Sequence, residues 1–173
     1  MISGGVATPT GFTAAGISAG IKASGKPDLA LIVSDRPATA AAVFTTNKAQ
    51  AAPVLVSRAH LQATGGVARA IIVNSGCANA CTGDRGLHVA RGMTAITAQH
   101  VGCPDGQVLV ASTGVIGVDL SLDKITAALP VAMKALGADQ SAAAAQAIMT
   151  TDPFPKEAAI RITIDGRDVT IGG

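Results

Sequence analysis

The chain has 173 residues, of which 49% are hydrophobic and only three are aromatic, all Phe. That length supports one domain with a sizeable core, and the core must close around small residues rather than rings. A net charge of +2, with basic residues scattered singly, excludes a polyanion-binding surface. No run reaches the ~18 uncharged apolar residues that span a bilayer.

Met1 to Gly5 lacks the basic and apolar regions of a signal peptide, and three cysteines do not make a disulfide framework. These features predict a cytoplasmic protein without nucleic-acid or membrane partners. In chain order, Leu29 to Val33 reads as a strand buried on both faces, Ala40 to Thr45 as a second and Val54 to Val56, after Pro53, as a third. Ala70 to Val73 predicts a fourth strand and Gln107 to Ala111 a fifth. Between these two, Val89, Met93 and Ile96 recur at helical spacing. Leu122, Ile125, Leu129, Met133 and Leu136 do the same, with Ser121 as N-cap. Pro130 inside that run predicts a kink or two short helices. Asp139 or Ser141 caps a third helix running through Ala142 to Met149. Ala159 to Ile164, the Asp165-Gly166 turn and Asp168 to Ile171 predict a terminal hairpin. The sum is an α/β fold, a layered mixed-sheet domain packed with helices.

Three segments carry candidate chemistry. The first is Ser112-Thr113-Gly114-Val115-Ile116-Gly117, read as a glycine-rich turn at a strand end. The Thr113 hydroxyl and the Gly114 N–H can together hold an oxygen that turns negative during acyl transfer. The segment lacks the Lys-Ser/Thr ending of a phosphate loop and the glycine spacing of a dinucleotide site. The second is the polar stretch Asn74 to Gly86, whose Asn and Ser side chains serve either a site or their own backbone. Cys77 and Cys81, without a second pair or a nearby histidine, read as small buried thiols, and no metal site is expected. In the third, Thr150, Thr151 and Asp152 sit where a helix must stop. They either satisfy the groups of the helix end and turn or present one Thr hydroxyl to a substrate, and at most one faces a site, since adjacent side chains in extended backbone point opposite ways.

Taken together, several segments resemble the bifunctional glutamate N-acetyltransferase / ornithine acetyltransferase family of arginine biosynthesis. They are Thr10-Gly11-Phe12 with Gly20-Ile21-Lys22, Ala42-Val43-Phe44-Thr45, Asn74 to Gly76 with Ala78 to Gly83, Ser112 to Gly117, and Ala147 to Asp152 with Lys156. Each is weak singly, and their common order is specific.

The resemblance implies a self-processing acyltransferase architecture of the N-terminal-nucleophile kind. A precursor cuts itself before a threonine of an Ala-Thr pair, and that threonine becomes the nucleophile at the start of a β chain. Residues 1–173 would then be a single α-chain domain, with a Lys-Gly segment and the cleavage pair following. The resemblance further implies an α2β2 heterotetramer that moves acetyl from N2-acetylornithine to glutamate without a cofactor. Acetyl-CoA is left open as a second donor. The family positions that fall in these rows are Thr113 and Gly114, as the oxyanion-stabilising pair, and Thr150, as a substrate-binding residue. Two other functions stand beside this one: a related self-processing aminopeptidase and a non-enzymatic ligand-binding module. The Asn79 to Gly83 and Ala147 to Lys156 matches favour the acetyltransferase.

Overall fold

A computed structural model describes all residues, 1–173. Four strands form one sheet in the order β1 (Phe12–Ile17), β2 (Leu29–Thr39), β3 (Val67–Cys77) and β4 (Val108–Val115). The first three run antiparallel, whereas β3 and β4 are parallel. A parallel pair needs a crossover, here supplied by α2 (Gly83–Val101) and a 3-10 turn at Asp105–Gln107. The sheet is therefore mixed, as the absence of a regular strand–helix rhythm predicts.

Alternation along β2 divides the structure into layers. Leu29, Leu31 and Val33 point into the main core with Ala70, Ile72, Val108 and Val110, under α1 (Ala52–Ala63), α2 and α3 (Leu122–Lys134). Ala30 points the other way, into a small cluster with Ala7, Ala14, Ala144 and Ala147 beneath α4 (Ser141–Ala147). Here the chain uses its alanines to bring backbones together. A Cβ built on Gly16 of β1 would stand 1.9 Å from the Ala143 carbonyl oxygen, so α4 rests directly on the strand. The terminal hairpin, β5 (Ala159–Ile164) and β6 (Arg167–Gly172), turns at Asp165-Gly166 as expected.

Several expectations are corrected. Ala40 to Thr45 forms no strand: the β2–β3 register ends at Thr39↔Val67, and after one last bond from the Ala40 N–H to the Gly66 carbonyl the segment pairs with no strand. Val54 to Val56 belongs to α1, with Pro53 in the first helical turn, where a missing N–H costs nothing. Three apolar residues are too few to separate strand from helix. Ser57 then pins that helix to the sheet, donating to the Val110 carbonyl at 2.7 Å and accepting from the Val110 N–H at 2.8 Å.

Pro130 neither breaks nor divides α3. It lies on the exposed side of the helix, as does Thr126, whose carbonyl loses its usual helical partner, so the missing N–H leaves no polar group sealed in the core. Ser121 caps α3 as expected, accepting from the Lys124 N–H. Neither Asp139 nor Ser141 caps α4. Its N-cap is Gln140, and the Ser141 hydroxyl instead accepts from the Ala7 N–H at 3.0 Å. β1 itself, short and bearing two alanines and a glycine, has no sequence signature of a strand.

Replacing Gly16 by Ala should push α4 away from β1 and cost about 1–3 kcal/mol of stability. Urea unfolding of the full-length protein would measure it, and an unchanged midpoint would mean that α4 tolerates displacement.

Candidate functional site

The ends of the two parallel strands build the site. β4 does not stop at Ala111. It continues through Ser112, Thr113 and Gly114 to Val115, and β3 likewise runs through Asn74, Ser75 and Gly76 to Cys77. What reads in sequence as two glycine-rich turns is therefore two paired strand ends, with Ser75 opposite Thr113 and Gly76 opposite Gly114.

The glycines face each other because nothing larger fits. Gly114 has φ +130°, and a Cβ there would lie 2.4 Å from the Gly76 carbonyl carbon and 2.7 Å from the Cys77 nitrogen. Side chains below them lock the register. Asn74, fully buried, donates to the Cys77 carbonyl at 2.8 Å and accepts from the Ser112 hydroxyl at 2.5 Å. The Ser75 hydroxyl reaches the Ala147 carbonyl at the end of α4. These bonds consume the polar groups of Asn74, Ser75 and Ser112, which leaves Thr113 to face outward.

Thr113 and Gly114 line an open cavity of about 520 Å³ together with Lys22, Gly76, Val115, Thr150 and Thr151. All three residues singled out from sequence thus meet in one place. One detail differs from expectation: Thr150 and Thr151 are both exposed and both line the cavity. The segment is bent rather than extended, so adjacent side chains need not alternate. The Thr150 N–H donates to Asp152 at 3.4 Å, and Asp152 pairs with Lys156, which holds its carboxyl below the ordinary Asp value.

Sequence reasoning on residue types missed Lys22 and Gly76. Lys22 belongs to a loop organised by Asp28, which is fully buried. One Asp28 oxygen accepts from the Ala19 N–H at 2.6 Å, and the other accepts from Ile21 at 2.6 Å and Lys22 at 2.8 Å. Partial burial pushes the Lys22 ammonium below the ordinary lysine value, against the pull of the Asp28 charge. Only the Gly20-Ile21-Lys22 likeness in sequence hints at this loop.

Cys77 is buried as expected and directs its thiol to the Val118 carbonyl. Cys81 is exposed, at φ +58°. The loop carrying it turns on Asn79, which is buried, donates to the Gly86 carbonyl at 2.9 Å and accepts from the Thr82 hydroxyl at 2.9 Å. Those polar residues serve their own backbone. A second concavity of about 470 Å³ beside them contains the Arg85–Asp119 ion pair at 3.1 Å.

A mixed-sheet α/β domain whose cavity is made of strand ends, hydroxyls and one lysine is the class defined so far. Comparison with known proteins places it further: residues 13–173 match the ArgJ family, and the chain belongs to that family. It is 52% identical over 167 residues to the arginine biosynthesis bifunctional protein ArgJ of Nitratidesulfovibrio vulgaris, covering 96% of this chain and 42% of that protein. It is 51% identical over 172 residues to ArgJ of a Synechococcus strain, covering 99% and 41%. The chain therefore spans about two-fifths of the length of these relatives.

Among solved structures, ArgJ from Bacillus halodurans matches with a TM-score of 0.91 at 42% identity, covering 98% of this chain and 88% of that one. Ornithine acetyltransferase from Mycobacterium tuberculosis, in complex with ornithine, matches at 0.90 and 40%, covering 100% and 92%.

Placing Ala at Gly114 should force the two strand ends apart and cost about 1–3 kcal/mol. Thermal unfolding of the full-length protein would read the loss. A variant of unchanged stability would mean that the β3–β4 contact is looser than the register implies.

Proposed function

We propose that the full-length protein is an acetyltransferase of arginine biosynthesis, moving acetyl from N2-acetylornithine to glutamate, with this chain as its α part. The observation that carries the reading is the meeting of Thr113, Gly114 and Thr150, from distant stretches of sequence, around one open cavity. The relatives' greater length supports a β part of the same precursor that supplies the nucleophile.

In this reading the precursor cleaves itself before a threonine, and the freed α-amine of that residue acts as base for its own hydroxyl. The hydroxyl oxygen attacks the acetyl carbonyl of acetylornithine. As the C–O bond forms, the carbonyl oxygen takes up the electron pair and becomes an oxyanion. The Thr113 hydroxyl and the Gly114 N–H donate to it, already held in place by the β3–β4 pairing. The C–N bond then breaks, ornithine leaves with the proton and an acetyl-threonine ester remains. Attack by the glutamate amine reverses these steps and passes the oxyanion through the same pair of donors. Thr150 binds the polar end of the substrate across the cavity. Acetyl-CoA is a second candidate donor for the same ester, and no bound cofactor is required. An α2β2 assembly in the cytoplasm belongs to the same proposal.

Thr113→Ala in the full precursor should lower kcat by ~10²–10³ while leaving the fold intact. Maturation into two chains, followed on a gel, should slow as well if the scissile carbonyl uses the same donors. Normal acetyl transfer by the matured variant would remove Thr113 from the oxyanion pair.

Thr150→Val keeps the side-chain shape and removes the hydroxyl. It should raise KM by the equivalent of ~0.5–1.5 kcal/mol, one neutral hydrogen bond. Unchanged steady-state kinetics would leave Thr150 as a residue that merely ends α4.

A further inference from the structure

Residues 148–156 lead from α4 toward the terminal hairpin and carry two of the hydroxyls of the cavity. Most of their hydrogen bonds are local: the Met149 N–H to Gln146, the Thr150 N–H to Asp152, and Lys156 to Asp152. One bond ties the stretch to a distant part of the chain. The Lys22 ammonium donates to the Met149 carbonyl at 2.7 Å and to the Pro27 carbonyl at 2.7 Å. Met149 immediately precedes Thr150.

Two further observations show that this tie is built in. The Lys22 backbone is itself fixed by the buried Asp28 carboxylate. Its stem passes over Gly76, where an added Cβ would stand 3.0 Å from the Lys22 Cγ, so the strand end leaves a slot for it. The ammonium also takes part in none of the three ion pairs of the chain. Two of its three donors go to main-chain carbonyls, where a charged donor forms the stronger kind of hydrogen bond.

We propose that Lys22 is a positioning residue that holds the Thr150–Thr151 segment opposite Thr113 and Gly114 by gripping the Met149 carbonyl. This inference rests on reading the cavity as the acetyl-transfer site. Lys22 acts through Thr150, and the loop ordered by Asp28 becomes part of the site although it offers no reacting group.

The test uses the full-length protein with Lys22→Met, which keeps the stem beside Gly76 and removes the donors. Hydrogen–deuterium exchange of peptides covering residues 148–154 should quicken by about tenfold or more, with the β2 and β3 peptides unchanged. KM should rise about two- to tenfold, as for Thr150→Val. The double variant should be no worse than the poorer single one, because both changes remove the same contact.

Unchanged exchange over 148–154 would overturn the proposal, as would KM effects that multiply in the double variant. Faster exchange across the whole sheet would also overturn it, by showing general loss of packing instead. If Lys22→Met does not mature, Lys22→Leu, which also removes the donors and keeps an apolar stem beside Gly76, is read by the same exchange criterion. A wild-type protein that transfers no acetyl would refute the acetyltransferase reading alone, and the exchange data would still decide the role of Lys22.

Discussion

Much of the structure hangs on one buried carboxylate. Asp28 stands at the entry to β2, where its main chain already joins two neighbouring strands. Its N–H donates to Ile17 at the end of β1, and its carbonyl accepts from Ser75 of β3. Its side chain then gathers three further N–H groups from the loop that leaves β1. A charge sealed from water costs several kcal/mol unless it is well hydrogen-bonded. Three short N–H bonds satisfy that requirement, and in satisfying it they give residues 19–22 a single path. The loop has no regular structure of its own, so the carboxylate acts as its template.

From that junction the cavity follows in order. The loop delivers Lys22, β3 delivers Gly76, and β4 delivers Thr113 and Gly114. α4, held by the Ser75 hydroxyl at its last turn, hands on the stretch with Thr150 and Thr151. The loop, β3, β4 and the stretch after α4 come from four separate parts of the sequence. What they share is the sheet edge where a parallel pair ends, a place where strand termini release backbone donors beside one another. The glycines opposite each other there allow a spacing that side chains would forbid. The same arrangement leaves the Thr113 hydroxyl unused while its neighbours are occupied.

How much of this was legible in the sequence varies by element for physical reasons. The hairpin, the capping serine of α3 and the helical spacing of α2 announced themselves, because turn chemistry and periodicity are local. The continuation of β3 and β4 through their glycines did not. Gly76 and Gly114 carry turn propensity, and pairing with each other overrides it. The apolar triplet before Ser57 looked like a strand because the contacts that make it a helix lie on β4. Thr113, Gly114 and Thr150 were accessible through the ordered likeness of five segments to a known family. Spacing alone would not have joined them. Asp28 stayed hidden altogether: an aspartate after Pro27 reads as a turn residue, and only burial reveals the three bonds it collects. The pair Thr150 and Thr151 was read with strand geometry, which a bent segment does not obey.

The contact between Gly16 and α4 has a consequence for how rigidly the cavity is gauged. Most helices stand off a sheet by the length of side chains, which can swing among rotamers and let the gap breathe. Here one main chain lies on another, with a hydrogen atom in the place of a side chain. The separation is set by atomic radii, and no torsion is available to change it. α4 therefore behaves like a stop against which the following residues are measured, and warming the protein gives the helix little room to drift. Sequence change on that face has few directions open, since any gain in bulk at Gly16 must be matched by a loss in the opposing backbone, which has nothing left to lose.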